Sequence, residues 1–557
     1  MIFNFIINIL LYFQQKINRI LNQIYHKLFF NLNELIRQFL SNSKNLHNTD
    51  IQLFRFYYRM KWLVISSDER SSSKTVVSAY IAALLDRNSI QINYIKLNPA
   101  LSVKLGLLSP ESVGEAYVTY DGGQVDKDIG IIERSVSYAL PGRSCLTLGQ
   151  AIDIVNVTEL GSKTCGYDFL SIDQHLRDYV YQYITNFKDH VINVIELGGS
   201  IKETGVQIFC QAIKKLHELS DITTIHIGDS INDFERVFST QPELFINYTE
   251  NAKFMKNRQL TKALETQLHS HLENYLKVKL ADFDLQLTYL APLDKQIYPQ
   301  TIRIAIVGRY VANDSGYLSI IDNVRAAAHN NSVGLELHKV QSLYLNDQNV
   351  TSNLQHMHGI IVPGGFGNCG LEGKICAIKF ARENRIPLLA ICYGFQMTVI
   401  EYARNVCGMD GADTFEIDQN CKYPLIDKLT KILQTEQRKD GEQYGVMNLG
   451  DCKVKVKEGT IASTCFNEND AERHWHSYAV NMKYWDQVEK GGLIGSIRNE
   501  AGNLVVGVEI KDHPFFFASQ FHPEFRAKYS CPHEIFIKFI AAGKKQDAAQ
   551  QGKSVKE

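Results

Sequence analysis

The sequence predicts an α/β protein made of two doubly wound domains, and three observations carry that reading. The chain has 557 residues, more than one hydrophobic core accommodates and enough for two. From Lys61, apolar runs of five to eight residues alternate with helical patterns, as in a parallel sheet covered on both faces. A second series of the same kind starts at Thr301. A formal net charge of −1 excludes a global basic field, so no nucleic-acid partner is expected. The eleven cysteines include no CxxC pair and no cluster at zinc spacing. A disulfide framework is therefore excluded, and a reducing, cytoplasmic setting is expected.

Taken in order, residues 1–59 are an extension. Met1 to Gln15 is uncharged but broken by Asn4 and Asn8, and Lys16 ends it short of the roughly 20 apolar residues of a spanning helix. Basic residues precede the first acid, Glu34, which fits a targeting or membrane-surface helix. Met60, directly before the strand KWLVISS, fits equally well as a true start. The first domain occupies 60–290, with strands KWLVISS, INYIKLN and VINVIEL around the helical TVVSAYIAALLDRN. Beyond about Gly205 the pattern reads as mainly helical. Pro292 and Pro299 punctuate a linker at 291–300. The second domain, 301–542, runs from TIRIAIVGRYV through GIIVPGG and PLLAICYG to LVVGVEI and FFFASQF. The polar residues 543–557 are expected to be a disordered tail.

PLLAICYGFQM is a buried strand that ends at Cys392, followed by Gly394 and a helical pattern. A thiol at such a junction stands on a sharp turn near a helix N-terminus, whose positive potential favours the thiolate. His522 and Glu524 in FHPEF can project from one face of an extended segment, the carboxylate orienting the imidazole as base. The loop VPGGFG offers the N–H groups of Gly364, Gly365 and Phe366 for an oxyanion.

In this order the pieces resemble class I glutamine amidotransferases. PGGFG with Gly370-Leu371-Glu372-Gly373-Lys374, then IEYARNV, ERHWHSY and HPFFFASQFHPEF, resemble the CTP synthase family in particular. The resemblance implies a Rossmann-like, P-loop-type amidoligase domain followed by the amidotransferase. Glutamine would be hydrolysed through a thioester, and the ammonia passed to UTP activated by ATP. It further implies that Gly365 supplies the oxyanion N–H and that Gln396 and Glu401 contact glutamine. Ser477 stands where the family has the arginine for the glutamine carboxylate, and Cys369 where it has a lid arginine tied to activation by GTP. Weaker glutamine affinity and a weak GTP response are the corresponding expectations.

KLNPALSVKLGLLSPESVGEAYVTYDGGQVDKDIG and IELGGS likewise resemble the synthetase half of that family. The resemblance places Lys74 at the phosphate-loop lysine for ATP, Asp128 at ATP and magnesium (Mg2+), and Glu196 at magnesium. It also implies a homotetramer. The loop itself, ISSDERSSSKTV, has serines and Thr75 in place of glycines, with Asp68 and Glu69 adding negative charge. Its backbone is poorly suited to cradling phosphate. Alternative readings are a glutaminase serving another acceptor, or a catalytically reduced paralogue with a structural or regulatory role.

Overall fold

The computed structural model describes residues 60–70, 73–156, 169–256, 260–281, 298–367, 370–432, 447–467, 470–550 and 552. Met60 to Glu557 is one compact unit. Residues 1–59 lie outside the described residues, and so do the targeting and start-site readings that concern them. Among the described residues no helix is long and apolar enough to cross a membrane.

The first half contains strands β1 (Lys61–Ser67), β2 (Ile92–Asn98), β3 (Ala116–Val118), β4 (Gln124–Asp126), β5 (Cys145–Thr147), β6 (Ile192–Leu197), β7 (Asp221–Gly228) and β8 (Leu244–Asn247). Six of them form a parallel sheet in the order β5-β2-β6-β1-β7-β8, while β3 and β4 make a separate antiparallel pair. Alternation along β1 serves two cores, as the pleat requires. Leu63 and Ile65 pack with the helices Lys74–Arg87 and Lys262–Leu276, and Trp62 and Val64 with the helix Thr204–Leu219 on the other face.

The stretch after Gly205 is mainly helical as expected, in the helices Thr204–Leu219, Asn232–Phe238, Tyr248–Lys256 and Lys262–Leu276, and β7 and β8 are two strands that the pattern does not show. In β7, DITTIHIG, threonines and a histidine interrupt the apolar run that marks a buried strand. The fold gives each of them a partner: Thr224 donates to Glu243 at 2.7 Å, Thr223 pairs with His271, and His226 with Ser66 at 3.0 Å. Polar groups so satisfied are tolerated in the sheet interior.

The second half contains β9 (Thr301–Gly308), β10 (Gly334–Gln341), β11 (Gly359–Val362), β12 (Leu388–Ile391), β13 (Ala412–Thr414), β14 (Tyr423–Lys428), β15 (Asn448–Val456), β16 (Ala471–His476), β17 (Tyr478–Val480), β18 (Ile494–Asn499), β19 (Val505–Glu509) and β20 (Phe516–Ser519). Nine strands run β10-β9-β11-β12-β20-β19-β18-β15-β16, parallel up to β20 and antiparallel beyond it. A small sheet β13-β14-β17 lies apart. The expected disorder is corrected for residues 543–550, which belong to the helix Glu534–Gln550, while 551 and 553–557 lie outside the described residues. In that helix Asp547 is buried and accepts from Gln300 Nε2 at 2.7 Å, which ties the polar end of the helix to the residue just before β9.

The two halves meet through buried ion pairs. Arg134, near the end of the helix Lys127–Ser135, reaches Ser319 at 2.8 Å and Asp322 at 3.0 Å. Arg473, on β16, enters the first half and bonds Glu133, Tyr117 and the Val118 carbonyl. Residues 282–297, which include most of the expected linker 291–300, lie outside the described residues.

Candidate active sites

β12 delivers Cys392 to the edge of the parallel sheet, where the helix Tyr393–Asn405 begins. Cys392 has φ 54° and ψ −103°, a conformation strained for any residue other than glycine, and its N–H donates to Ser519 O at 2.7 Å. Gly394 is required two residues later: a Cβ there would lie 2.0 Å from the Val362 carbonyl oxygen. The β11 loop meets the thiol from the other side. A Cβ on Gly364 would stand 3.5 Å from both Cys392 Cβ and His522 Cε1, so loop, nucleophile and base converge.

His522 Nδ1 pairs with Glu524 Oε1 at 2.7 Å, leaving Nε2 to the thiol. Burial opposes charge on the imidazole, but Glu524 and the Cys392 sulfur prevail and push its pKa up to about 10. His522 therefore holds a proton at neutral pH, ready for a leaving amine. The His522 N–H donates to the Arg473 carbonyl at 2.8 Å, so the catalytic loop is attached to the strand that crosses into the first half.

The structure brings Gln396 to this group and keeps Glu401 away from it. Gln396 Nε2 donates to Tyr478 O and to Gln520 Oε1, both at 3.2 Å, and its buried Oε1 has no partner. Gln520 in turn lies 3.8 Å from Cys392 Sγ. Glu401 sits nine residues beyond Cys392, roughly 13 Å along the helix axis. It is fully buried and held by Arg382 at 2.7 and 3.1 Å. The expected glutamine contact is thus a structural ion pair. Glu416, which sequence reasoning missed, accepts from the Gly367 N–H at 3.3 Å, and burial raises its pKa. No local motif marks it, because the turn after β13 brings it to the glycine loop. Ser477 is half-buried between β16 and β17, its carbonyl accepting from Leu429 N at 2.9 Å. Asn368 and Cys369, and with them the lid reading, lie outside the described residues.

In the first half, Lys74, Asp128 and Glu196 do meet at the carboxyl edge of the parallel sheet, where such folds bind phosphates. Lys74 begins the helix after β1, and its Nζ donates to Ser67 Oγ at 2.6 Å and Gly199 O at 2.8 Å. Burial and the nearby Lys96 lower its pKa to about 8, with Glu196 and Asp128 opposing. Asp126 caps the helix that carries Asp128.

Lys96, near the end of β2, bridges the two acids: it donates to Asp128 at 2.7 Å and to Glu196 more closely still. Burial raises the cost of ionising Asp128, yet Lys96 and Lys127 hold its pKa well below the carboxylate range. Glu196 also accepts from Thr75 at 2.9 Å, Ser78, and Tyr94 at 2.6 Å. Lys96 stands within the quoted motif, but only the sheet order reveals its pairing. Asp68 is buried against Gly228, its Oδ2 4.0 Å from Lys202, and Ser73 adopts the left-handed conformation at φ 57° that glycine favours.

Residues 61–236 match the family model for the CTP synthase N-terminus, and residues 314–542 the one for class-I glutamine amidotransferase. A CTP synthase of Methanocaldococcus jannaschii is 31% identical over 537 residues, covering 87% of this chain and 98% of that protein. One from Sulfurisphaera tokodaii is 30% identical over 544 residues, covering 86% and 99%. The solved glutaminase domain of Trypanosoma brucei CTPS with bound acivicin is 32% identical, with a TM-score of 0.40, over 44% of this chain and 94% of that one. With both halves of the architecture present in order and relatives matched along nearly their whole length, this chain belongs to the CTP synthase family.

Proposed function

We propose that the chain converts UTP, ATP and L-glutamine into CTP, ADP, phosphate and glutamate. The observation that carries the reading is that one compact unit holds both the Cys392–His522–Glu524 group and the Lys74–Lys96–Asp128–Glu196 cluster. Cys392 attacks the glutamine carboxamide, the Gly365 N–H receives the developing oxyanion, and His522 protonates the departing ammonia. Water then resolves the thioester with His522 as base. Gln396 meets the substrate through its unpartnered carbonyl oxygen, and Glu416 is a better placed acid than Glu401 for the substrate ammonium.

In the other half, Lys74 and Lys96 offset charge as ATP phosphorylates the UTP carbonyl oxygen that ammonia then replaces. Asp128 and Glu196 suit magnesium: they are two acidic side chains with one cation already between them, the donor set of a metal whose other ligands are phosphates and water. Magnesium held by these two carboxylates would supply positive charge against the phosphates of ATP. Because Ser73 and its neighbours replace glycine, ATP binding is weak, and because Cys369 brings no cation, so is activation by GTP. A cytoplasmic homotetramer is the expected assembly, and the exposed Leu101 and Leu107 after β2 offer apolar surface to another copy.

The test is CTP formation from UTP and magnesium-ATP, driven by either glutamine or ammonium chloride. Wild type should use both sources, Cys392→Ala only ammonium, and Asp128→Ala neither. No CTP from wild type with ammonium at millimolar ATP would sink the synthetase reading.

A further inference from the structure

Lys374 lies beneath the glycine loop, on the helix Leu371–Glu383, and is 1% exposed. Its Nζ donates to the Pro363 carbonyl at 2.7 Å and the Gly364 carbonyl at 3.1 Å. A Cβ on Gly365 would stand 3.4 Å from the same nitrogen, and the ammonium also lies 5.2 Å from the centre of the Tyr393 ring. Across a trans peptide, C=O and N–H point in opposite directions. Fixing the Gly364 carbonyl on Lys374 therefore turns the Gly365 N–H to the other side of the loop, away from the lysine. Gly364 itself faces Cys392 and His522. The far end of the loop is pinned independently, with Tyr393 OH donating to Gly367 O at 2.8 Å and Gly367 N–H donating to Glu416.

A buried ammonium is an expensive way to hold two carbonyls. Burial pushes Lys374 down to about 7, and the charge of Cys392 is the influence that opposes this.

We propose that Lys374 is a positioning residue of the glutaminase reaction: its grip on the Pro363 and Gly364 carbonyls presets the Gly365 N–H for the oxyanion of the tetrahedral intermediate. The proposal rests on the Cys392 glutaminase reading. Lys374 touches no reacting atom. Its contribution is confined to the step in which negative charge develops on the substrate oxygen, so it acts on kcat and not on the binding of glutamine.

The experiment compares full-length wild type with Lys374→Met and Lys374→Arg. In Lys374→Met, kcat for glutamine hydrolysis should fall about tenfold to hundredfold, somewhat less than for outright loss of an oxyanion donor. KM should stay within about twofold. Affinity for glutamate γ-semialdehyde, which forms a tetrahedral adduct on the thiol, should fall by the same factor as kcat. Alkylation of Cys392 by iodoacetamide, which builds no oxyanion, should fall far less than kcat, by only what the lost charge of Lys374 costs the thiolate. Lys374→Arg should recover part of kcat. An unchanged kcat in Lys374→Met overturns the proposal, and so does a parallel loss of kcat, alkylation rate and thermal midpoint, which would make the lysine merely structural. Should the methionine variant not fold, Lys374→Gln is read by the same criteria. Absence of glutamine hydrolysis in wild type is a separate outcome and sinks the glutaminase reading itself.

Discussion

Under the proposed glutaminase reaction, Ser477 is the position at which one side chain would set the affinity for glutamine without altering the chemistry. The thiol, imidazole and carboxylate are assembled regardless of what stands between β16 and β17, but a serine hydroxyl cannot supply the charge-assisted bond that an arginine gives a carboxylate. Ser477→Arg is expected to lower KM for glutamine about tenfold or more, since such a bond is worth roughly 1.5–3 kcal/mol. kcat should change little. Initial-rate kinetics decide, and an unchanged KM in a folded variant would mean that another cation already serves the carboxylate. Glu401 teaches the converse lesson. Its place in a motif suggested a ligand, and its side chain instead neutralises Arg382 in the interior.

At the scale of the element, β16 carries both the interdomain arginine and two buried histidines beside the triad. His476 Nδ1 donates to Tyr478 O at 2.8 Å, and its other nitrogen accepts from His474 at 3.0 Å, which requires a neutral His476 ring. Burial holds His474 well below the ordinary imidazole range and His476 down to about 4, and the charge of His522 acts in the same direction. Above pH ~6.5 both are neutral whether the chain is folded or unfolded. As pH falls from there toward 4, the unfolded chain takes up protons that the folded chain refuses, so stability is lost in that window. The thermal midpoint should decline over this range, and more shallowly in His476→Gln, by up to about 1.4 kcal/mol per pH unit. Parallel curves for the two proteins would show that His476 is protonated in the fold after all.

For the whole molecule, buried ion pairs between the two halves hold the two sites in one unit. Arg134 is the clearest case, with Asp322 receiving it on the glutaminase side and also accepting from Tyr529 at 3.0 Å. Arg134→Met strands a buried carboxylate, and about 3–5 kcal/mol of stability should be lost. Arg134→Met with Asp322→Leu should recover much of that loss, because both charges are then gone. Chemical denaturation of the two variants is the check, and a double variant no more stable than the single one would show that Asp322 does not depend on Arg134. Glu133 and Arg134 lie on the helix whose first turn bears Asp128, so the same element serves the nucleotide cluster and the contact with the triad.

Sequence alone determined the two-domain α/β class, the parallel strands with continuous apolar runs, and the triad. Those features are local: an apolar run specifies a buried strand, a strand ending at Cys-x-Gly specifies a sharp turn, and His-x-Glu lies within one extended segment. Lys74, Asp128 and Glu196 were reached through family resemblance, since a loop of serines carries no phosphate signature. The tertiary structure decided what depends on partners distant in the chain. It placed β7 in the sheet by giving its threonines and histidine partners, set Lys96 between two acids on different elements, brought Glu416 and not Glu401 to the glycine loop, and laid Lys374 under that loop. A side chain's charge and length are written in the sequence, but the group it neutralises is fixed only when the chain folds.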